Sequence, residues 1–243
     1  MTRAKSMDVD RRVRRSRARR HEALVVLVLA LAACGAGSPP PASAPAPGDG
    51  MPHRFERADQ WAKVFDAPDR DTWQRPDAVI ALLALAPEMT VADVGAGTGY
   101  FTVRLARAVP RGQVIATDIE PDMVRYLGER AAREHLGNVR AVLATADDPA
   151  LEPSSVDRIL VVDVWHHVAD RRGYAVGLAR ALRPGGTIAI VDFTASATRG
   201  PPRPHRLAPE TVIADLAAAG LDAKLATATL PEQYVVLGTK PAT

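Results

Sequence analysis

The chain has 243 residues, 47% hydrophobic, 24% charged and 5% aromatic, which suits one globular domain with an appendage. A single cysteine excludes an internal disulfide, and the histidines lack zinc-finger spacing, so no disulfide scaffold or cysteine-based metal domain is expected and no metal site is assigned. Residues 1–33 hold nine Lys/Arg against three Asp/Glu, leaving 22 against 25 for the remainder, so the folded part is mildly acidic and no nucleic-acid partner is expected.

At the amino terminus, Arg11, Arg12, Arg14, Arg15, Arg17, Arg19 and Arg20 precede an apolar run, Ala23–Ala33, too short to span a bilayer core comfortably. The run ends in Leu31-Ala32-Ala33-Cys34, which resembles the lipobox of bacterial lipoproteins. That resemblance implies a signal peptide over residues 1–33, a lipid anchor at Cys34 and a membrane-anchored protein of the bacterial cell envelope. The alternative is a basic extension with a short apolar helix, and then a cytoplasmic chain. Residues 34–53 carry five prolines between positions 39 and 47 and no large aliphatic core-former, a composition that reads as a disordered tether.

The domain is expected over 54–243, with a helical region at 54–88 and a core at 89–243. Between Arg54 and Pro76 charged residues alternate with Phe55, Trp61, Phe65 and Trp73, a pattern for one or two amphipathic helices. From Val79 onward strands and helices alternate with short turns, the signature of an α/β fold whose parallel sheet is covered on both faces. Strands are expected at Thr90–Val94, Gln113–Asp118, Val139–Ala144, Asp157–Val162 and Thr187–Phe193. Helices are expected at Tyr100–Val109, Asp122–His135 and Arg171–Leu182, the last stopped by Pro184-Gly185-Gly186. A Pro-rich loop then leads to a helix near Glu210–Ala219 and two short strands near Ala223–Ala228 and Tyr234–Gly238.

The most informative stretch is Asp93-Val94-Gly95-Ala96-Gly97-Thr98-Gly99-Tyr100, a buried strand running into a glycine turn that opens a helix. Glycines supply the positive φ of a sharp turn and let backbone approach a ligand. A dinucleotide fingerprint needs glycine where Tyr100 stands, and no phosphate-loop lysine follows. The G-x-G-x-G shape, with an acid two residues ahead, resembles motif I of class I S-adenosylmethionine-dependent methyltransferases. Asp118 supports this: it ends the next strand nineteen residues past Gly99, where a carboxylate accepts both ribose hydroxyls of an adenosyl ligand.

The resemblance covers roughly Pro76 to Lys240. It implies a Rossmann-like doubly wound seven-stranded sheet of order 3-2-1-4-5-7-6, last strand antiparallel, with helices on both faces. It also implies S-adenosyl-L-methionine as cofactor, held by Asp93, Gly95, Ala96, Gly97, Thr98, Gly99, Asp118 and Ile119. In this family an acid after the third strand accepts the adenine amino group, which points to Asp147, with Asp148 the alternative. Asp163, at the end of the fourth strand, is implied near the ammonium or sulfonium. Asp192 either steers a cationic cofactor or is a solvated strand-end carboxylate.

His166 and His167 follow Asp163 and are the catalytic candidates, against ordinary packing. On extended backbone adjacent side chains point opposite ways, which argues against joint metal binding. Trp165 and Phe193 are expected to line a hydrophobic acceptor pocket, and the loop Gly200–Arg206 either covers it or merely connects. Methyl transfer needs alignment and exclusion of water more than acid–base help when the acceptor is a thiol, amine or enolate. The expected activity is therefore methyl transfer to a small molecule. The Asn/Asp-Pro-Pro-Tyr tetrapeptide of enzymes acting on nucleic-acid amines or glutamine is absent. A tethered domain that keeps the fold without catalysis is the alternative.

Overall fold

A computed structural model describes residues 55–228 and 230–243; the expected signal peptide, Cys34 and the tether to residue 53 lie outside them. The core strands are β1 (Thr90–Val94), β2 (Gln113–Asp118), β3 (Val139–Leu143), β4 (Val156–Val162), β5 (Leu182–Phe193), β6 (Asp222–Leu225) and β7 (Gln233–Thr239). They form one sheet of order 3-2-1-4-5-7-6, in which β1 to β5 are parallel and β7 runs antiparallel to both β5 and β6. This is the doubly wound architecture expected.

Its helices are α1 (Ala58–Phe65), α2 (Arg70–Gln74), α3 (Pro76–Leu82), α4 (Tyr100–Ala108), α5 (Pro121–Arg133), α6 (Arg171–Ala181) and α7 (Pro209–Ala218). One core, with Leu178, Val212 and Leu216, packs Ile159, Ile188 and Ile190. The opposite core, with Val79, Leu83, Phe101 and Leu105, packs Val91, Val114 and Leu160. The strands therefore read as continuous apolar runs because both faces are covered. Each fully buried Leu or Ile contributes roughly 1.5–3 kcal/mol.

The stretch 54–76 holds two short helices, α1 and α2, within the one or two expected, and α3 follows from Pro76. Arg75 takes φ 51 and Pro76 opens α3, so chain direction resets where the sequence pattern runs on. Pro184-Gly185-Gly186 does not form a loop after the third predicted helix: β5 already begins at Leu182 and runs through them, with a register shift opposite Val156 and Arg158.

Topology positions the site. Because β1, β2, β4 and β5 are parallel, Val94, Asp118, Val162 and Phe193 all finish at one sheet edge, where open α/β sheets take ligands. The antiparallel pairing of Phe193 with Gln233 brings the start of β7 to that same edge.

Candidate cofactor site

The chain leaves β1 by a turn made from glycine. The Gly95 and Ala96 amides both donate to the Thr117 carbonyl, at 2.8 and 3.0 Å, bending the backbone toward β2. Gly95, Gly97 and Gly99 have φ of +69, +55 and +87°, a region side chains disfavour. A Cβ on Gly95 would stand 2.3 Å from Val164 Cγ2, so the loop after β4 presses directly on the turn. Gly99 is the residue before α4, whose amino end opens toward the same edge.

Asp118 is anchored there. Its Oδ2 accepts from the Gly97 amide at 2.8 Å and its Oδ1 from the Glu120 amide at 3.0 Å. A carboxylate has about four acceptor positions, so lone pairs remain for two further hydroxyl donors. Burial raises its proton affinity, while these two amides oppose that shift. Thr98 Oγ1, inside the turn, is buried without a partner. Ile119, half exposed, stands next to Asp118 as an apolar shelf. The cradle thus offers what an adenosyl ligand needs: close backbone approach at Gly97, a carboxylate for the sugar, an unmatched hydroxyl and apolar surface.

Asp93 has another task. It lies in the interior and accepts from Thr102 Oγ1 at 2.6 Å, tying β1 to the first turn of α4. Burial pushes it up to about 6, against the Thr102 bond and with the Asp118 charge adding. Asp147 is exposed and bonded to the Thr145 hydroxyl at 2.6 Å, and Asp148 closes the same turn by accepting from the Ala150 amide. That loop follows β3, and its first residue, Ala144, donates to the Asp118 carbonyl, but no contact joins the Asp147 carboxylate to Asp118.

Asp163 sits at φ +60°, just past β4. It accepts from Gln74 Nε2 at 3.1 Å and from the Gln233 amide, with the Arg70 guanidinium 4.0 Å away. Burial pushes it up to about 6, opposed by Arg70 and reinforced by Asp192. Arg70 stacks 3.9 Å over the Tyr100 ring, and burial holds it below the usual arginine range despite Asp163. Four carboxylates, those of Asp93, Asp118, Asp163 and Asp192, thus share one edge with Arg70, an electrostatic setting suited to a cationic ligand.

The histidines are not on extended backbone. Trp165–His167 form a single 3-10 turn, and the two imidazoles lie 4.2 Å apart instead of on opposite sides. His166 Nδ1 is 2.8 Å from Asp192 Oδ1. Asp192 is fully buried, so it is not the solvated strand-end carboxylate that was one alternative. Trp165 does not line a pocket. It is fully buried in the core, packs on Tyr174, and donates its indole N–H to Asp215 at 3.3 Å. Phe193 faces Trp73 at 6.1 Å, and Arg199 of the following loop reaches Asp69 and lies over the Trp73 ring. The loop therefore packs on the α2 region.

Sequence reading did not single out Arg70, Gln74 or Gln233, nor assign a site role to Phe55, Trp61 or Phe65. The Phe65 ring stands 3.5 Å from where a Cβ of Gly97 would lie, Phe55 is 5.7 Å from Phe65, and Trp61 stacks on Phe65 at 5.3 Å. The segment Arg-Asp-Thr-Trp-Gln ahead of Pro76, polar groups flanking a tryptophan in a short helix, was the available signal.

Residues 91–186 match the family model described as a methyltransferase domain. An uncharacterized methyltransferase of Mycobacterium tuberculosis (strain ATCC 25618 / H37Rv) is 43% identical over 117 residues, 48% of this chain and 44% of that protein. The ubiquinone/menaquinone biosynthesis C-methyltransferase of Idiomarina loihiensis is 31% identical over 109 residues, 44% of this chain and 43% of the relative. The chain thus spans less than half the length of either. The crystal structure of a SAM-dependent methyltransferase from Aquifex aeolicus superposes with a TM-score of 0.70 at 25% identity, covering 76% of this chain and 99% of that one. Residues 91–186 are thus similar to a methyltransferase domain, and the sheet order with its glycine turn is shared with a SAM-dependent methyltransferase of known structure.

Proposed function

We infer that the protein transfers a methyl group from S-adenosylmethionine to a small-molecule acceptor. The observation that carries this reading is the Asp118 carboxylate held against Gly97 at the lip of a turn whose three glycines all have positive φ. When bound, the cofactor supplies an electrophilic methyl on a sulfonium. Asp118 would hold its ribose, Gly95 to Gly99 its underside, Ile119 its adenine, and Asp163 its ammonium. The chain's own work is to orient the two reactants and exclude water.

Calorimetry on the full chain tests this. Saturable heat is expected with both S-adenosylmethionine and its demethylated product, and no heat at high micromolar concentration defeats the reading. A second reading, an envelope-tethered domain that keeps the fold without transfer, draws on the Leu31–Cys34 signal. Binding of the cofactor without turnover over a metabolite extract with labelled methyl donor favours it. Lipidation of Cys34 is part of the proposal for location, and mass spectrometry showing an unmodified peptide across residues 30–38 overturns it.

A further inference from the structure

A neutral amine attacks with its own lone pair and a thiol ionises readily near neutrality, whereas a hydroxyl gives up its proton less easily, so a positioned base in the site reports on acceptor class. His166 has the required arrangement. Its Nδ1 faces both oxygens of Asp192, at 2.8 and 3.1 Å, and the two side chains are 3% and 0% exposed. A carboxylate only accepts, so Nδ1 carries the hydrogen and Nε2 keeps its lone pair. No hydrogen bond joins Nε2 to another described residue, so within them its lone pair is unspent. Asp192 also accepts from the Phe193 amide at 2.8 Å, which fixes its orientation on β5. A carboxylate buried to orient an imidazole costs stability that an apolar residue would not, which argues for a use beyond packing.

The surroundings define what the base faces. Aromatic contacts run from the glycine turn to the dyad: Phe65 lies against Gly97, Phe55 is 5.7 Å from Phe65 and 6.1 Å from His167, and His167 is 4.2 Å from His166. A run of aromatic and imidazole rings, half-buried except for the buried His166, thus joins the glycine turn to the dyad.

Resting on the methyltransferase reading, we propose that His166, oriented by Asp192, is the general base for an acidic hydroxyl, a phenol or enol, carried on an apolar ring. Nε2 takes the hydroxyl proton. The oxygen's electron pair forms the new O–CH3 bond while the S–CH3 bond breaks and its pair stays on sulfur. The imidazolium then returns its proton to water. A phenol near pKa 10 is within reach of an imidazole, and an alkyl alcohol is not.

The test uses the full chain with 15N-labelled histidine, S-adenosylhomocysteine and 2-naphthol as probes. The neutral form of His166 is expected as the Nδ1–H tautomer, and 2-naphthol added to the S-adenosylhomocysteine complex is expected to move its Nε2 resonance. His166→Gln is expected to bind S-adenosylhomocysteine within about twofold of the parent. It should lose at least about a hundredfold in transfer to 2-naphthol. The proposal is overturned by an Nε2–H tautomer, by an Nε2 signal unmoved at millimolar 2-naphthol, or by unchanged transfer in the variant. Heat with S-adenosylhomocysteine alongside a silent Nε2 removes the base alone, whereas no heat removes the methyltransferase reading as well.

Discussion

The carboxylate of Asp118 accepts the Gly97 amide at 2.8 Å, so the end of β2 and the middle of the glycine turn are locked together by a charge-assisted bond. Replacing Asp118 with Asn removes the charge and one acceptor oxygen while keeping the shape. Hydrogen bonds to charged groups contribute about 1.5–3 kcal/mol each, so cofactor affinity is expected to fall roughly ten- to hundredfold. Because burial already disfavours the ionised form, the melting temperature should hold or rise. Calorimetry and a thermal melt on the same sample check both; affinity unchanged in Asp118→Asn removes this carboxylate from the cofactor site.

Gly95 and Gly97 should respond differently to alanine. At Gly95 the new Cβ meets Val164 Cγ2 at 2.3 Å in addition to the cost of φ +69°, so the turn and the loop after β4 must both move. At Gly97 the nearest atoms belong to Phe65 at 3.5 Å, an ordinary contact, leaving only the backbone cost of about 1–2 kcal/mol. Gly95→Ala is therefore expected to lower stability by more than Gly97→Ala, and Val164→Ala to recover part of it in the double variant. The coupling is measured as a double-mutant cycle in denaturant. Gly97→Ala should instead weaken cofactor binding in a folded protein, because the methyl fills the cradle. Additive free energies at 95 and 164 speak against the clash.

How much of this was readable in the sequence depends on distance along the chain. The parallel strands announced themselves as apolar runs alternating with helical stretches, and Asp118 followed from its spacing after Gly99. The Asp192–His166 pair did not, because its 26-residue separation closes only through the β4–β5 register, which composition leaves open. Arg70 and Gln74 lie on a five-residue helix, too short for periodicity to show a face. Trp165 was misplaced since a strand-end aromatic reads alike whether it turns to a pocket or, as here on a 3-10 turn, into the core.

Asp163 gives the protein a pH dependence of defined sign. Burial raises its carboxyl to about 6 in the folded chain, above the usual value near 3.9. Below pH 4 folded and unfolded chains are both protonated and the group contributes nothing. Between about 4 and 6 the folded state holds the extra proton, so each step up in pH lowers stability, and above 6 the full penalty persists. Asp71, Asp122 and Glu232 are shifted down and act in the opposite direction, so the measurement must be a difference. The melting temperature of Asp163→Asn minus that of the parent is expected to rise from pH 4.5 to pH 7, Asn tolerating φ +60°. A flat difference means that Asp163 ionises normally.

Arg130 is one of the anchors of the segment over the glycine turn, beside Arg70, which donates to the Phe65 carbonyl, and Arg125, which pairs with Asp59. Arg130 on α5 donates to both oxygens of Asp66, at 2.9 and 3.0 Å, to the Thr98 carbonyl at 2.9 Å, and to Glu134 at 3.0 Å. With its side chain 16% exposed, this is a partly buried pair in which one nitrogen, Nη1, spans both Asp66 oxygens, rather than a surface contact. It joins the end of α1 to the glycine turn at Thr98. The Ala58 amide, bonded to Asp122 at 2.6 Å, secures the other end. Arg130→Met keeps the stem and removes the fork, so a loss of about 1–3 kcal/mol is expected. The cost should be local. Hydrogen exchange is expected to accelerate across residues 58–66 while residues 90–118 stay protected, and the dissociation rate of S-adenosylhomocysteine should rise as Phe65 leaves Gly97. Exchange that stays slow across 58–66, with dissociation unchanged, means that Phe65 keeps its place without Arg130, held by its aromatic packing and by the Arg70 bond to its carbonyl.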